Sequence, residues 1–171
     1  MTTGWSPAAP LHTARLDLEP LRVDHAGEAA VAFDDVALHT FTGGQPATAE
    51  ELRRRYARQV VGHSPDGTED WLNWMLRVRT SGRPAGTVQA TVHRDDAGLV
   101  AEVAWVVVTT HQGQGLAGEA ARAMAGWLRE QGVDRLVAHV HPDHSASGGV
   151  ARALGLRPTG TVVDGEVRWA G

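Results

Sequence analysis

The chain has 171 residues, enough for one domain with a substantial hydrophobic core. Its 42% hydrophobic and 21% charged content is that of a globular protein. No apolar run approaches the roughly 18–20 residues a membrane helix needs, so no membrane partner is expected. Zero cysteines exclude a disulfide framework, a thiolate nucleophile and a cysteine metal site, and a net charge of −4 argues against nucleic acid as the main partner.

The start, "MTTGWSPAAPLHTARL", lacks the basic head and apolar stretch of a secretory signal, which points to the cytoplasm. Residues 1–10, rich in Pro, Ala, Thr and Gly, are expected to be a loosely ordered lead-in to a single domain over 11–171. Alternation at Leu16, Leu18 and Leu21 predicts a first strand. "DHAGEAAVAFDDVA" (24–37) predicts a helix with Asp24 as N-cap. Thr48 with Glu51 three positions later is a capping-box signature for a second helix. Its basic run, Arg53 to Arg58, reads as a solvated face, with contact to an anionic ligand as the minority reading.

Three runs at 71–79, 85–94 and 99–108, joined by short Gly-bearing turns, predict an antiparallel meander. The last run is the most apolar and is expected to lie centrally in the sheet. A helix to about Glu130 follows, with Leu116, Ala120, Met124, Trp127 and Leu128 as its buried stripe. "DRLVAHVH" reads as a buried strand and "SASGGVARAL" as a short helix. "LRPTGTVVDGEVRWA" reads as a hairpin turning on Asp164-Gly165. The order is β-α-α-β-β-β-α-β-α-β-β, an α/β chain of the α+β kind with one mixed sheet.

Gly113, Gly115 and Gly118 spell G-x-G-x-x-G, the letters of a dinucleotide-binding loop. Glycines feeding a helix N-terminus supply free N–H groups and about half a positive charge, which suits any phosphate. Context opposes the dinucleotide reading. The motif follows an antiparallel meander instead of opening the fold, and the polar linker "TTHQ" replaces a tight turn. No convincing acidic residue follows about 20 positions on.

"QGQGLA" (112–117) instead resembles the acyl-CoA loop of the GNAT N-acetyltransferase superfamily, whose pattern is Gln/Arg-x-x-Gly-x-Gly/Ala. "RLDLEPL", "AEVAWVVVTTHQGQGLAGEA" and "VAHVHPDHSASGGVARALGLRPTG" resemble successive segments of its RimJ/RimL-like branch, so the likeness covers roughly residues 14 to 170. The resemblance implies the GNAT acyl-CoA N-acyltransferase fold, with acetyl-CoA as donor and no metal. The acceptor would be a primary amine, on a small molecule or a protein N-terminus; a homodimer is possible. It also implies a pantetheine arm lying between two splayed strands, bonded to the main chain of Val106, Val107 and Val108. Pyrophosphate would sit on Gln112, Gly113, Gln114, Gly115, Leu116 and Ala117. For Gly118, packing of helix on sheet is at least as good a reading as a contact.

The chemistry requires deprotonating an ammonium, stabilising an oxyanion and protonating a thiolate. Glu102 stands where the branch often carries a glutamate and is the candidate base, the alternative being a surface carboxylate. Many family members use a fourth-helix tyrosine for the thiol. The only tyrosine here is Tyr56, and Ser147 offers a hydroxyl at the matching place, with helix capping as its other reading. His144 replaces the asparagine that usually bonds the pantetheine arm. Asp34 and Asp35 are candidates for reading a cationic acceptor, and Trp74 and Trp105 for lining its pocket, against solvated helix end and core packing respectively. His139, His141 and His144 lack the further ligands a metal site needs. Two other readings keep the fold: a different donor, such as a longer acyl-CoA or aminoacyl-tRNA, or a non-catalytic acyl-CoA sensor.

Overall fold

The computed structural model describes residues 5–41 and 43–171. Its strands are β1 (Leu11–His12), β2 (Leu16–Pro20), β3 (Glu69–Val78), β4 (Pro84–Asp95), β5 (Gly98–Val107), β6 (Arg135–Val140), β7 (Arg157–Val163) and β8 (Glu166–Ala170). Its helices are α1 (Ala26–Ala32), α2 (Ala49–Gln59), α3 (Leu116–Glu130) and α4 (Ser145–Ala153). The strands form one eight-stranded sheet in the order β1-β2-β3-β4-β5-β6-β8-β7. The meander β3-β4-β5 is antiparallel as expected, β5 lies inside the sheet, and β5–β6 is the parallel pair.

Strand parity distributes the core between two faces. On one face Leu72, Trp74 and Leu76 of β3, Val88, Ala90 and Val92 of β4, and Ala101, Val103 and Val107 of β5 join the apolar stripe of α3. On the other face Met75 packs with Ala26 and Ala29 of α1 and Leu52 and Tyr56 of α2. The capping box of α2 forms as expected: the Glu51 N–H donates to Thr48 Oγ1, and the Thr48 N–H to Glu51 Oε2. The last hairpin turns on Asp164 (φ 51°) and Gly165 (φ 80°), two left-handed residues that match the twist of β7 and β8.

The first helix departs from expectation. Instead of one helix over 24–37, α1 spans seven residues between 3-10 turns at Val23–His25 and Val36–His39. Asp24 does not cap it, but ion-pairs with Arg22. Asp35 ends it by taking an extended conformation (φ −150°) and capping the second turn, its Oδ1 accepting from the Ala37 N–H at 2.8 Å. Of the first ten residues, Trp5 packs edge-on against Trp127 of α3, and the Ala9 carbonyl accepts the indole N–H of Trp74 at 2.7 Å.

The site is positioned by the way β5 and β6 separate. They pair only through Val100–Arg135, Ala101–Leu136 and Glu102–Val137. Beyond that point β5 continues against β4 as far as Val107–Gly86, while residues 137–140 of β6 pair with β8 on their other side. A fork therefore opens from Val103 onward, and the chain leaves it through a 3-10 turn at Thr109–His111 into α3. At its tip β4 and β5 approach so closely that any side chain at Gly86 would run into the Val106 carbonyl.

Candidate active site

The glycine segment forms a cradle at the mouth of the fork. Gly113 and Gly115 have φ of 77° and 78°, a left-handed geometry that favours glycine, and nothing in the protein stands within 4 Å of where a Gly113 side chain would begin. Gly115 caps α3 without a side chain, so the first N–H groups of this 15-residue helix face outward with its dipole behind them. Leu116 is buried in the core, so its contribution here is main-chain only, and Ala117 packs against the same core.

Gln112 has a more specific role than the sequence suggested: its side-chain amide donates to the Val107 carbonyl at 2.9 Å, tying the loop to the end of β5. Gln114 is exposed. The three valines are correspondingly not all free to bind a ligand. The Val107 carbonyl is taken by Gln112, and the Val108 N–H donates to the Ala85 carbonyl. Val106, 44% exposed, turns its side chain to the opposite face of the sheet. Gly118 does not pack α3 onto the sheet, since the nearest group to a side chain there is the flexible end of Arg122.

The sequence reading missed Arg15. Its guanidinium lies 3.6 Å from where a Gly115 side chain would begin, and is held by Glu119 in the first turn of α3, Nε to Oε1 at 2.9 Å. Thr13 Oγ1 and the Arg15 N–H also donate to Glu119. These bonds hold the Glu119 carboxyl below its usual range against the opposing effect of burial, the largest single influence on it. Only the tertiary fold brings β2 beside α3, so no local signal marked Arg15.

On the α3–α4 side of the fork, the Trp105 indole N–H donates to Ser147 Oγ at 2.9 Å. Ser147 therefore does not cap α4; His144 occupies the N-cap position, and it does so without a side-chain bond to the helix. Trp105, expected in an acceptor pocket, instead holds this hydroxyl. Trp74 borders a cavity on the α2 side, but its side chain is fully buried on the α3 face, 5.7 Å edge-on from Trp127, because β3 parity sends residue 74 to the side opposite α1 and α2.

The α1–α2 side of the sheet carries a cavity of about 290 Å³ between the strands, α2 and the residues Phe33, Leu38, His39 and Ala47. Its side-chain floor is Asn73, Thr87, Gln89 and Val106, which cross-strand register puts on one face. Phe33, His39, Arg55 and Tyr56 are among its walls. Tyr56 is 4% exposed, and burial pushes its phenol upward, so it stays neutral. The Arg53–Arg58 run is a solvated face; Arg54 pairs with Glu50, and Arg55 alone among these arginines lines the cavity. Asp34 and Asp35 do not line it: Asp34 is exposed and Asp35 is engaged in capping.

Glu102 lies on the same face as Val106, at the base of the fork, with Oε1 2.9 Å from Nδ1 of His139. His144 stacks on Phe41 at 4.4 Å between ring centres, and His141 packs on the same ring at 5.1 Å. Burial, then the neighbouring His141, holds the His144 imidazole below its usual range, so it is neutral at pH 7. Among the described residues no group of three or more His, Cys, Asp or Glu converges as a metal ion requires. Among them, too, no helix is long and apolar enough to cross a membrane.

A family model, the acetyltransferase (GNAT) domain, matches residues 15–157. This chain belongs to the GNAT acetyltransferase family. By sequence alone no curated protein matches it. Among solved structures, this GNAT chain is similar to the RimL ribosomal L7/L12 α-N-protein acetyltransferase in complex with coenzyme A, with a TM-score of 0.78 at 17% identity, covering 95% of this chain and 97% of that one. It is similar to the ribosomal-protein-S5-alanine acetyltransferase of Vibrio fischeri, with a TM-score of 0.77 at 17% identity over 95% and 96% of the two chains. It also resembles the microcin C7 self-immunity acetyltransferase MccE in complex with acetyl-CoA and AMP, with a TM-score of 0.74 at 13% identity over 93% of each. At these identities the likeness is one of fold. As a GNAT enzyme the chain takes acetyl-CoA as donor. Its own residues fit that molecule: a cradle of outward N–H groups with glycines at positive φ, an arginine beside it, and a fork with a hydroxyl at one wall.

Proposed function

We propose that this GNAT acetyltransferase acts on a primary amine carried by a compact, uncharged or acidic body: a small-molecule amine or the first residue of a protein. The observation that carries this reading is the lining of the acceptor cavity. Its floor is neutral and polar, its walls are apolar and aromatic, and its one formal charge is Arg55. No carboxylate is among those lining residues, which disfavours polycationic acceptors. A volume of about 290 Å³ suits one or two residues or a small metabolite.

In this reading the pyrophosphate rests on residues 112–117 beside Arg15. Ser147 faces the departing sulfur, its oxygen held by Trp105. Glu102, on the acceptor side, takes part in removing the amine's proton. Release of free thiol from acetyl-CoA tests this against three panels: peptides with small neutral N-terminal residues, neutral or acidic small amines, and polyamines. Turnover with members of the first two and none with the third is expected. Preference for polyamines would refute the acceptor class, and tight acetyl-CoA binding without turnover of any amine would make the chain a sensor.

A further inference from the structure

We infer that His139, held by Glu102, is the group that takes the proton from the acceptor's ammonium, with Glu102 acting through it as a positioning residue. The inference rests on the acetyl-transfer reading above and names the proton acceptor within it.

Glu102–Val137 is the last pair that joins β5 to β6, and His139 lies two residues further along β6, on the same face and on the free side of the fork. The Glu102 carboxylate crosses the opening to reach it at 2.9 Å. Both side chains therefore stand where the strands part, on the face that also presents Val106, Gln89 and Thr87 to the acceptor cavity. The contact is to Nδ1. A carboxylate this close favours the N–H on Nδ1, which leaves Nε2 as a lone-pair acceptor. The His139 side chain is 23% exposed and that of Glu102 50%, so the imidazole is the more sheltered of the two.

The two halves of the chemistry then fall on opposite faces of the sheet. Ser147 and Trp105 stand on the α3–α4 side, and Glu102 and His139 on the side of α1 and α2. An amine entering from its cavity gives one proton to Nε2, from where it passes to solvent. The nitrogen lone pair forms the C–N bond to the acetyl carbon, and the C–S bond breaks. The second proton, shed by nitrogen after that bond forms, balances the one Ser147 gives to the sulfur. The products are the amide, free thiol and one proton. The imidazolium formed on the way is stabilised by Glu102.

Three measurements test this on the intact chain. Long-range ¹H–¹⁵N correlation spectra of the unliganded protein should show His139 protonated on Nδ1, and Glu102→Gln should abolish that signature; protonation on Nε2 in the wild type overturns the inference. His139→Asn keeps a donor for Glu102 and removes the base. It should lower kcat about 100-fold or more while the KM for acetyl-CoA stays within twofold. Glu102→Gln should lower kcat by about tenfold, again without raising that KM. A His139→Asn enzyme with wild-type kcat would mean Glu102 works alone and would sink the dyad only. A wild-type enzyme that acetylates no amine sinks the transfer reading itself, whatever the spectra show.

Discussion

Trp105 and Ser147, 42 residues apart, meet across the fork, the indole N–H of one fixing the hydroxyl oxygen of the other at 2.9 Å. Because indole is only a donor, it occupies a lone pair and leaves the hydroxyl proton for a ligand. Ser147→Ala should lower kcat by about 100-fold with little change in acetyl-CoA affinity. Trp105→Phe keeps the packing and removes one hydrogen bond, about 1 kcal/mol, so kcat should fall about fivefold. Steady-state kinetics on both variants decides it; a wild-type kcat for Ser147→Ala removes the serine from the chemistry.

Gly113 and Gly115 give a second test. Alanine at Gly113 meets nothing within 4 Å, so the protein loses only the left-handed backbone term, about 1 kcal/mol. The same methyl would stand where a phosphate oxygen is proposed to approach. Gly113→Ala should therefore shift thermal stability little and raise the Kd for acetyl-CoA about tenfold, measured by calorimetric titration. An unchanged Kd would mean that the cradle does not hold the pyrophosphate.

Gly86 should behave in the opposite way. Its neighbour is the Val106 main-chain carbonyl, which has no rotamer to move away. Gly86→Ala should destabilise the fold by about 2–3 kcal/mol, read by urea denaturation, because β4 and β5 must separate at the tip of the fork. A variant as stable as the wild type would show that the strands have slack there.

Asp70 predicts a pH effect on stability. It is 7% exposed, its Oδ2 has no hydrogen-bond partner, and desolvation raises its pKa above the usual carboxylate value. The folded state thus favours the neutral acid more than the unfolded state does. Its contribution is fully present below the unfolded pKa of about 4 and is lost as pH rises through the higher folded value. Asp70→Asn should raise the Tm at pH 7, by about 1 kcal/mol in stability, and have little effect at pH 3. Melting curves at both pH values check it; equal shifts at both would refute the ionisation argument.

What the sequence revealed, and what it did not, follows from the range of each interaction. The α2 capping box, the Asp164-Gly165 turn and the glycine cradle are local, so a few adjacent letters specify them. Strand parity was also readable in principle: Trp71 and Trp74 are three apart and must face opposite ways, so the Trp74 indole goes to the α3 core. The Glu102–His139 pair needs the parallel β5–β6 register, and Arg15 at the cradle needs β2 to lie beside α3. Trp105 on Ser147 needs α4 to close over the fork. Such long-range meetings carry no spacing rule. Asp35 shows the converse: a short polar side chain beside free backbone N–H groups finds a cap before it finds a ligand.

Among the described residues, three residue pairs and one further main-chain bond, Asp134 N–H to the Leu99 carbonyl, make up the ladder that fastens β6, β8 and β7 to the five strands before them. Mechanically the sheet is two plates sharing a short seam, with α3 and α4 bridging one side. A pantetheine arm laid between the plates would act as a replacement strand, adding rungs that the polypeptide omits. The donor substrate would then be part of the scaffold as well as the chemistry, and its departure would leave the seam to the polypeptide's own few rungs.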